Sequence, residues 1–97
     1  MNPNPDRRYS RSSAALGESL GEEVAILNTE TGIYFGIKGA GIDVWRILEK
    51  SPTFGEIVEE LLQEYEVERT QCEAHVETLL KDLQNAKLVY SKTAPGH

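Results

Sequence analysis

The stretch EEVAILNTETGIYFGIK, residues 22–38, constrains the fold of this chain more than any other. Two runs rich in β-branched, aliphatic and aromatic residues flank TETG, where Gly32 can take the left-handed conformation that closes a hairpin turn with a bulge. Pairing outward from that turn puts Val24 and Ile26 on one face with Phe35 and Ile37, and Leu27 with Tyr34 on the other. The first set is expected to face a core. The second run, Ile33–Ile37, holds no charge and no proline. At the edge of a sheet, its unpaired N–H and C=O groups would be open to another chain.

Helical signals follow the hairpin. Gly39 and Gly41 loosen the chain, then Val44, Trp45 and Leu48 recur at helical spacing until Ser51-Pro52 stops the run. Trp45 is expected in the core. Thr53 and Glu56 make a T-x-x-E capping box, after which Phe54, Ile57, Val58, Leu61, Leu62 and Tyr65 keep to one side of an amphipathic helix. A third helix is predicted from about Glu68 to Asn85, with Cys72, Val76, Leu79, Leu80 and Leu83 on one stripe and Thr70 with Glu73 as an alternative cap. Lys87 to Tyr90 reads as a packed closing extension. Ahead of the hairpin, Ser12–Leu16 reads as a short first strand. The expected organisation is a flexible N-terminal tail (1–11), one folded domain (12–90) and a flexible C-terminal tail (91–97). Strands followed by helices make this an α+β domain, winged helix-turn-helix-like, with a three-stranded antiparallel sheet followed by three helices.

That architecture raises nucleic-acid binding, and charge argues against it. Residues 1–12 hold three arginines against one aspartate, so the formal charge of −6 for all 97 residues leaves −8 on the remainder. The third helix sets Arg69 and Lys81 against Glu68, Glu73, Glu77 and Asp82, whereas a DNA reader needs a basic face to displace counterions from phosphate. Catalysis is equally poorly served. Cys72 and His75 lie three apart on one helix, but Cys72 falls on the apolar stripe, where a free cysteine acts as a small hydrophobe. No Cys/His spacing fits a metal, and no glycine loop fits a phosphate or cofactor. With a lone cysteine, no apolar run near the roughly 20 residues of a membrane span and no apolar signal segment in MNPNPDRRYS, the expectation is a soluble cytoplasmic protein.

A peptide-binding module uses the undefended strand directly. An extended peptide can add to Ile33–Ile37 through main-chain hydrogen bonds while side-chain pockets select its sequence. The third helix would form the pocket wall, with Val76, Leu79 and Leu83 as apolar anchors and His75 and Asp82 in a polar rim. The alternative, favoured for any single one of these apolar residues, is that the stripe is all core and the N-terminal tail covers the edge; spacing alone does not divide it.

The ordered run LNTETGIYFGIKGAGIDVWRILEKSPTFGEIVEELLQEYEVE, followed by a long helix and a KLV ending, resembles the PqqD-like family of precursor-peptide recognition elements. The matching parts are the L-[ND]-x-x-[ST]-G-x-Y-F-x-[LI] hairpin, the G-x-x-[VI]-W helix, the T-x-x-E-[IL] helix and the acidic Y-x-V linker. They cover about residues 22–90. Family members often finish in a glycine-leucine pair, where this chain has Ala86-Lys87-Leu88. The resemblance implies a domain without catalysis or cofactor that takes the leader of a ribosomally made precursor peptide as an added strand, between the last sheet strand and the third helix. Carried onto this chain, that site comprises Ile33, Tyr34, Phe35, Gly36 and Ile37, facing Cys72, His75, Val76, Leu79, Asp82 and Leu83. It further implies a lasso-peptide pathway, with a leader-cleaving cysteine protease and a cyclase as partners. Lasso leaders resemble Tyr-x-x-Pro-x-Leu, which suits a groove of aromatic and aliphatic walls, and Tyr34 would pack on the proline or tyrosine. A peptide chaperone for a radical-dependent maturase is the alternative within the family, and a winged-helix DNA regulator the alternative outside it. The expected partners include neither nucleic acid nor membrane, and the free edge also offers a route to a homodimer.

Overall fold

Two tight turns fold the first third of the chain into a meander. In the computed structural model, which describes residues 4–92, strand β1 (Arg8–Arg11) precedes β2 (Ala15–Leu20), β3 (Glu23–Asn28) and β4 (Tyr34–Lys38). Gly21 and Gly32 take the turn positions with φ of 74° and 76°, in the region that other residues enter at a cost. Strands β2, β3 and β4 form an antiparallel sheet in that order. Val24 faces Ile37, Ile26 faces Phe35 and Leu27 faces Tyr34, the two-faced hairpin that the alternation predicts. Val24, Ile26 and Ile37 are buried.

The strand expected at Ser12–Leu16 lies further on. Ser12 closes a turn instead: its carbonyl accepts from the Ala15 N–H at 3.1 Å, and its hydroxyl accepts from the Ala14 N–H at 3.1 Å. The strand then runs from Ala15 to Leu20, and the two-residue turn Gly21-Glu22 pairs Leu20 with Glu23. Gly-Glu is a weaker hairpin signature than Asn-Gly, and β2 is exposed over most of its length. Neither signal stands out in the sequence.

Helix α1 (Ala40–Ile47) buries Val44, Trp45 and Ile47, then tightens into a 3-10 turn at Leu48–Lys50 that ends on Ser51 with φ 52°. Helix α2 (Phe54–Glu64) opens on the capping box: the Glu56 N–H donates to Thr53 Oγ1 at 3.1 Å and the Thr53 N–H donates to Glu56 Oε1 at 2.8 Å. Its buried stripe is Phe54, Ile57, Val58 and Leu61. Tyr65, expected as the last member of that stripe, is the C-cap and stands 39% exposed. Helix α3 (Arg69–Asn85) buries Cys72, Val76, Leu80 and Leu83. Glu68 occupies its N-cap without a side-chain hydrogen bond, so the Thr70–Glu73 cap is not used.

The N-terminal segment also differs from expectation. Arg8–Arg11, assigned to a flexible tail on polarity, pair antiparallel with β5 (Val89–Lys92) in a second, two-stranded sheet. Tyr9 is buried there, and Arg11 lies 4.1 Å from the centroid of the Trp45 ring while its Nε donates to the Trp45 carbonyl at 3.1 Å. The far side of β1 is tied down as well, since the Tyr9 N–H donates to the Pro52 carbonyl at 2.9 Å and the Phe54 N–H donates to the Arg7 carbonyl at 2.8 Å. These pairings join opposite ends of the chain, which local patterning does not register. Of the C-terminal tail, Ser91 and Lys92 belong to β5; residues 93–97, with His97, and residues 1–3 lie outside the described part.

The buried Asn28 side chain links sheet and helix. It is 2% exposed, its Oδ1 accepts from the N–H groups of Glu30 (2.9 Å) and Thr31 (3.1 Å), and its Nδ2 donates to the carbonyls of Ala86 (3.2 Å) and Lys87 (3.1 Å). At that helix end, the Leu88 N–H donates to the Leu83 carbonyl at 2.9 Å and the Lys87 N–H to the Gln84 carbonyl at 3.0 Å, with Lys87 at φ 59°. This is a Schellman cap with lysine in the left-handed position that usually falls to glycine. Asn28→Ala is expected to lower the unfolding free energy by about 1–3 kcal/mol, measured by urea denaturation. Lys87→Gly is expected to raise it by roughly 1 kcal/mol, because relief of the left-handed conformation exceeds the added chain entropy.

Candidate functional site

Among the described residues, strand β4 is hydrogen-bonded on one side only. The Asn28 N–H donates to the Ile33 carbonyl at 2.9 Å, and Ile26–Phe35 and Val24–Ile37 are the pairs that continue at period two. Backbone groups alternate sides along an antiparallel strand, so the N–H and C=O of Tyr34, Gly36 and Lys38 are directed away from β3. β4 is also the last strand of its sheet. Ile33 stands just outside the strand, and the strand runs one residue beyond Ile37 to Lys38, which places one charge on the edge.

The opposite bank is α3. Leu79 Cδ2 and Ile37 Cβ lie 3.5 Å and 3.6 Å from the point where a side chain would begin at Gly41, so the helix and the strand converge over the first turn of α1. His75, Thr78, Leu79 and Asp82 line a shallow pocket of about 320 Å³ on the open flank of the helix. His75 is shared with a second, more apolar pocket of about 310 Å³, lined also by Ala40, Leu61, Tyr65, Val67, Gln71 and Cys72. The Tyr65 hydroxyl donates to Asp43 Oδ2 at 2.5 Å, and Arg46 holds the other oxygen of that carboxylate at 2.7 Å. These bonds brace the wall of the second pocket. The phenol proton is correspondingly harder to remove, chiefly because it is hydrogen-bonded to the carboxylate.

The expected site residues divide between groove and core. Ile33, Tyr34 and Gly36 are exposed and Phe35 is half-buried; on α3, His75 and Asp82 are exposed and Leu79 is half-buried. Ile37, Cys72, Val76 and Leu83 are buried in the core cluster. Val76 and Leu83, expected as anchors, are therefore corrected to core. Positions 72, 76, 80 and 83 form one stripe of the helix, and 75, 79 and 82 form the stripe beside it. Gln71 and Thr78 on the helix, and Ala40, Tyr65 and Val67 off it, line the pockets without belonging to the expected site residues; Tyr65 and Val67 figure in the sequence only as the end of the α2 stripe and the Y-x-V linker. The signal available for Tyr65 and Val67 was their apolar character inside an otherwise acidic linker.

The Cys72–His75 pair is not arranged for nucleophilic chemistry. The thiol is buried, and burial pushes its pKa up against the weaker opposing pull of Arg69, while the imidazole is exposed. Among the described residues there is no cluster of three or more His, Cys, Asp or Glu able to hold a metal, and no helix is long and apolar enough to cross a membrane.

These features define a winged-helix-like α+β domain whose sheet edge, unpaired among the described residues, runs beside its third helix. The profile of the family described as Coenzyme PQQ synthesis protein D (PqqD) matches residues 23–89, and the chain belongs to the PqqD family as a PqqD-like peptide recognition element. Among solved structures it is similar to TbiB1 in complex with the TbiA(beta) leader peptide, with 30% identity over 88% of this chain and 99% of that one and a TM-score of 0.79. A lasso peptide synthetase B1 complexed with the leader peptide shares the fold at 18% identity, covering 84% of this chain and 96% of that one, with a TM-score of 0.75. Comparison with curated protein sequences gave no match.

The division of α3 is testable without a ligand. Val76→Glu buries an unpaired charge and is expected to abolish cooperative unfolding, whereas Leu79→Glu should keep the helical circular dichroism and a cooperative melt. Unfolding by Leu79→Glu would put that side chain in the core. The raised thiol pKa has a definite sign: burial favours the protonated form in the folded state, so its contribution to stability is intact below the ordinary thiol pKa of about 8.5 and is lost as pH rises above it. Cys72→Ala should flatten that alkaline decline in urea titrations.

Proposed function

We propose that this protein is a non-catalytic recognition element that binds the leader of a ribosomally made precursor peptide as a fourth strand beside β4, and delivers it to the maturation enzymes of a lasso-peptide pathway. The observation that carries this reading is the outward-directed backbone of Tyr34, Gly36 and Lys38, set against the open flank of α3 with its two pockets. Both structurally similar proteins hold leader peptides. The cysteine protease and the cyclase of such a pathway are the partners to which the leader would pass, in the cytoplasm.

The affinity has two components. Main-chain bonds to β4 contribute about 0.5–1.5 kcal/mol each and tolerate many sequences. Selection comes from peptide side chains that face the groove, where Phe35 and Leu79 offer half-buried apolar surface and the pocket bounded by Tyr65 and Val67 can enclose a larger group. In the absence of peptide, the same edge can pair two copies of the chain.

An amide NMR titration with the leader encoded beside the gene tests this reading. Shifts are expected at Tyr34–Lys38 and along His75–Asp82, and Leu79→Glu should weaken binding at least about tenfold, or 1.4 kcal/mol, without loss of fold. Shifts from duplex DNA centred on Arg7, Arg8 and Arg11, with none from the leader, would overturn it.

A further inference from the structure

The outer face of β4 carries a gap. Tyr34, Gly36 and Lys38 point to that face, and Gly36 contributes no side chain between the other two. Its neighbour on β3 is the small Ala25, and the next residue in that row, on β2, is Glu18. Glu23 stands directly opposite Lys38 in the register. The ion pairs among the described residues, however, are Arg46–Asp43 and those of Arg69 with Glu59 and Glu73. Instead of closing on Lys38, the Glu23 carboxylate reaches diagonally, and its Oε1 lies 3.7 Å from the point where a side chain at Gly36 would begin.

We propose that Glu23 is a specificity-determining residue that selects a lysine or arginine in the bound peptide, at the position paired with Gly36. The inference rests on the strand-addition reading and adds to it the sequence of the segment taken up. In an added strand, the residue opposite Gly36 faces the same outer side, with its Cβ roughly 5 Å away. Nothing projects from Gly36 to separate it from the Glu23 carboxylate. The residues before and after it pair with Phe35 and Ile37 and face the groove, where apolar side chains fit. The recognised segment therefore reads apolar–cation–apolar.

Charge around the gap supports the choice of sign. Glu18, Glu22 and Glu23 surround this end of the sheet against the single ammonium of Lys38, so a peptide carboxylate there meets net repulsion. Tyr34, 68% exposed and two residues along on the same face, offers its ring to the cation on the side away from Lys38. Any L-residue with a side chain at position 36 would fill the gap and hold the peptide side chain off the carboxylate.

The test is a positional set of synthetic peptides based on the leader encoded beside the gene, each residue replaced in turn by Lys, Ala or Glu. Binding is read by fluorescence anisotropy at low and high salt against wild type, Glu23→Gln and Glu23→Lys, with the fold of each variant checked by its amide spectrum. At one position wild type is expected to prefer Lys over Glu by roughly threefold to tenfold. That preference should vanish in Glu23→Gln, invert in Glu23→Lys and weaken in high salt. Binding with amide shifts at Tyr34–Lys38, but with a charge preference indifferent to Glu23, would sink the Glu23 assignment and leave strand addition standing. Failure of every peptide to bind or to shift those amides would overturn strand addition, and the Glu23 assignment with it.

Discussion

The fourfold hydrogen bonding of the Asn28 amide is the constraint on which the groove depends. Its oxygen orders the β3–β4 turn, and its nitrogen holds the carbonyls of Ala86 and Lys87. The two banks of the groove, β4 and α3, belong to different elements far apart in sequence. At this end one side chain ties the turn that leads into β4 to the chain leaving α3. Helix-terminal carbonyls have no intrahelical partner, and the Asn28 amide supplies one for Ala86 while also holding the Lys87 carbonyl just past the helix. The left-handed Lys87 is part of the same junction, since it turns the chain so that Leu88 and Val89 enter the core. Strain at one residue is accepted where the surrounding bonds over-determine it.

At the other end, Arg11 serves a comparable purpose by different means. Its guanidinium lies over the Trp45 ring and bonds the Trp45 carbonyl, coupling the terminal two-stranded sheet to α1. Burial depresses the arginine pKa somewhat, with Glu49 acting in the opposite direction, yet arginine stays charged and pairs a planar cation with an aromatic face. The N-terminal strand thereby covers the α1–α2 connection rather than the edge of β4. That placement leaves the groove open.

Legibility in the sequence followed the range of the interactions. The hairpin register, the Thr53–Glu56 cap and the stripe of α2 depend on residues within a few positions of one another, and their patterns were readable. Strand β1 was not, because Arg8–Arg11 is polar and its partner lies some eighty positions away. In α3 the sequence carried the apolar stripe but not its width. Leu79 and Leu80 are adjacent and chemically alike, and the step of about 100° between them turns Leu80 into the core and leaves Leu79 half-buried near Gly41. Val76 and Leu83, expected as anchors, fall on the core side of that line for the same reason. Asn28 stands in the sequence only as the [ND] position of the hairpin motif, where asparagine reads as a turn residue; its bonds to the chain leaving α3 appear only in the fold.

An edge open to a peptide is also open to a second copy, and the distribution of charge bears on which pairs first. Sheet edges are commonly defended by lysine or proline in the strand itself, and β4 has only Lys38 at its end. The body of this chain carries −8 once the arginine-rich first twelve residues are set aside. Two such bodies brought edge to edge repel, and within a Debye length of about 8 Å this repulsion is not screened out. A short cationic peptide meets attraction from the same field. Self-pairing across Gly36 would also bring two copies of Glu23 to one gap, whereas an added strand bearing a cation fills that gap with the opposite charge. Under the strand-addition proposal, discrimination between self and peptide would be set by the acidic surface around the strand, with the strand keeping the uncharged backbone edge that pairing requires.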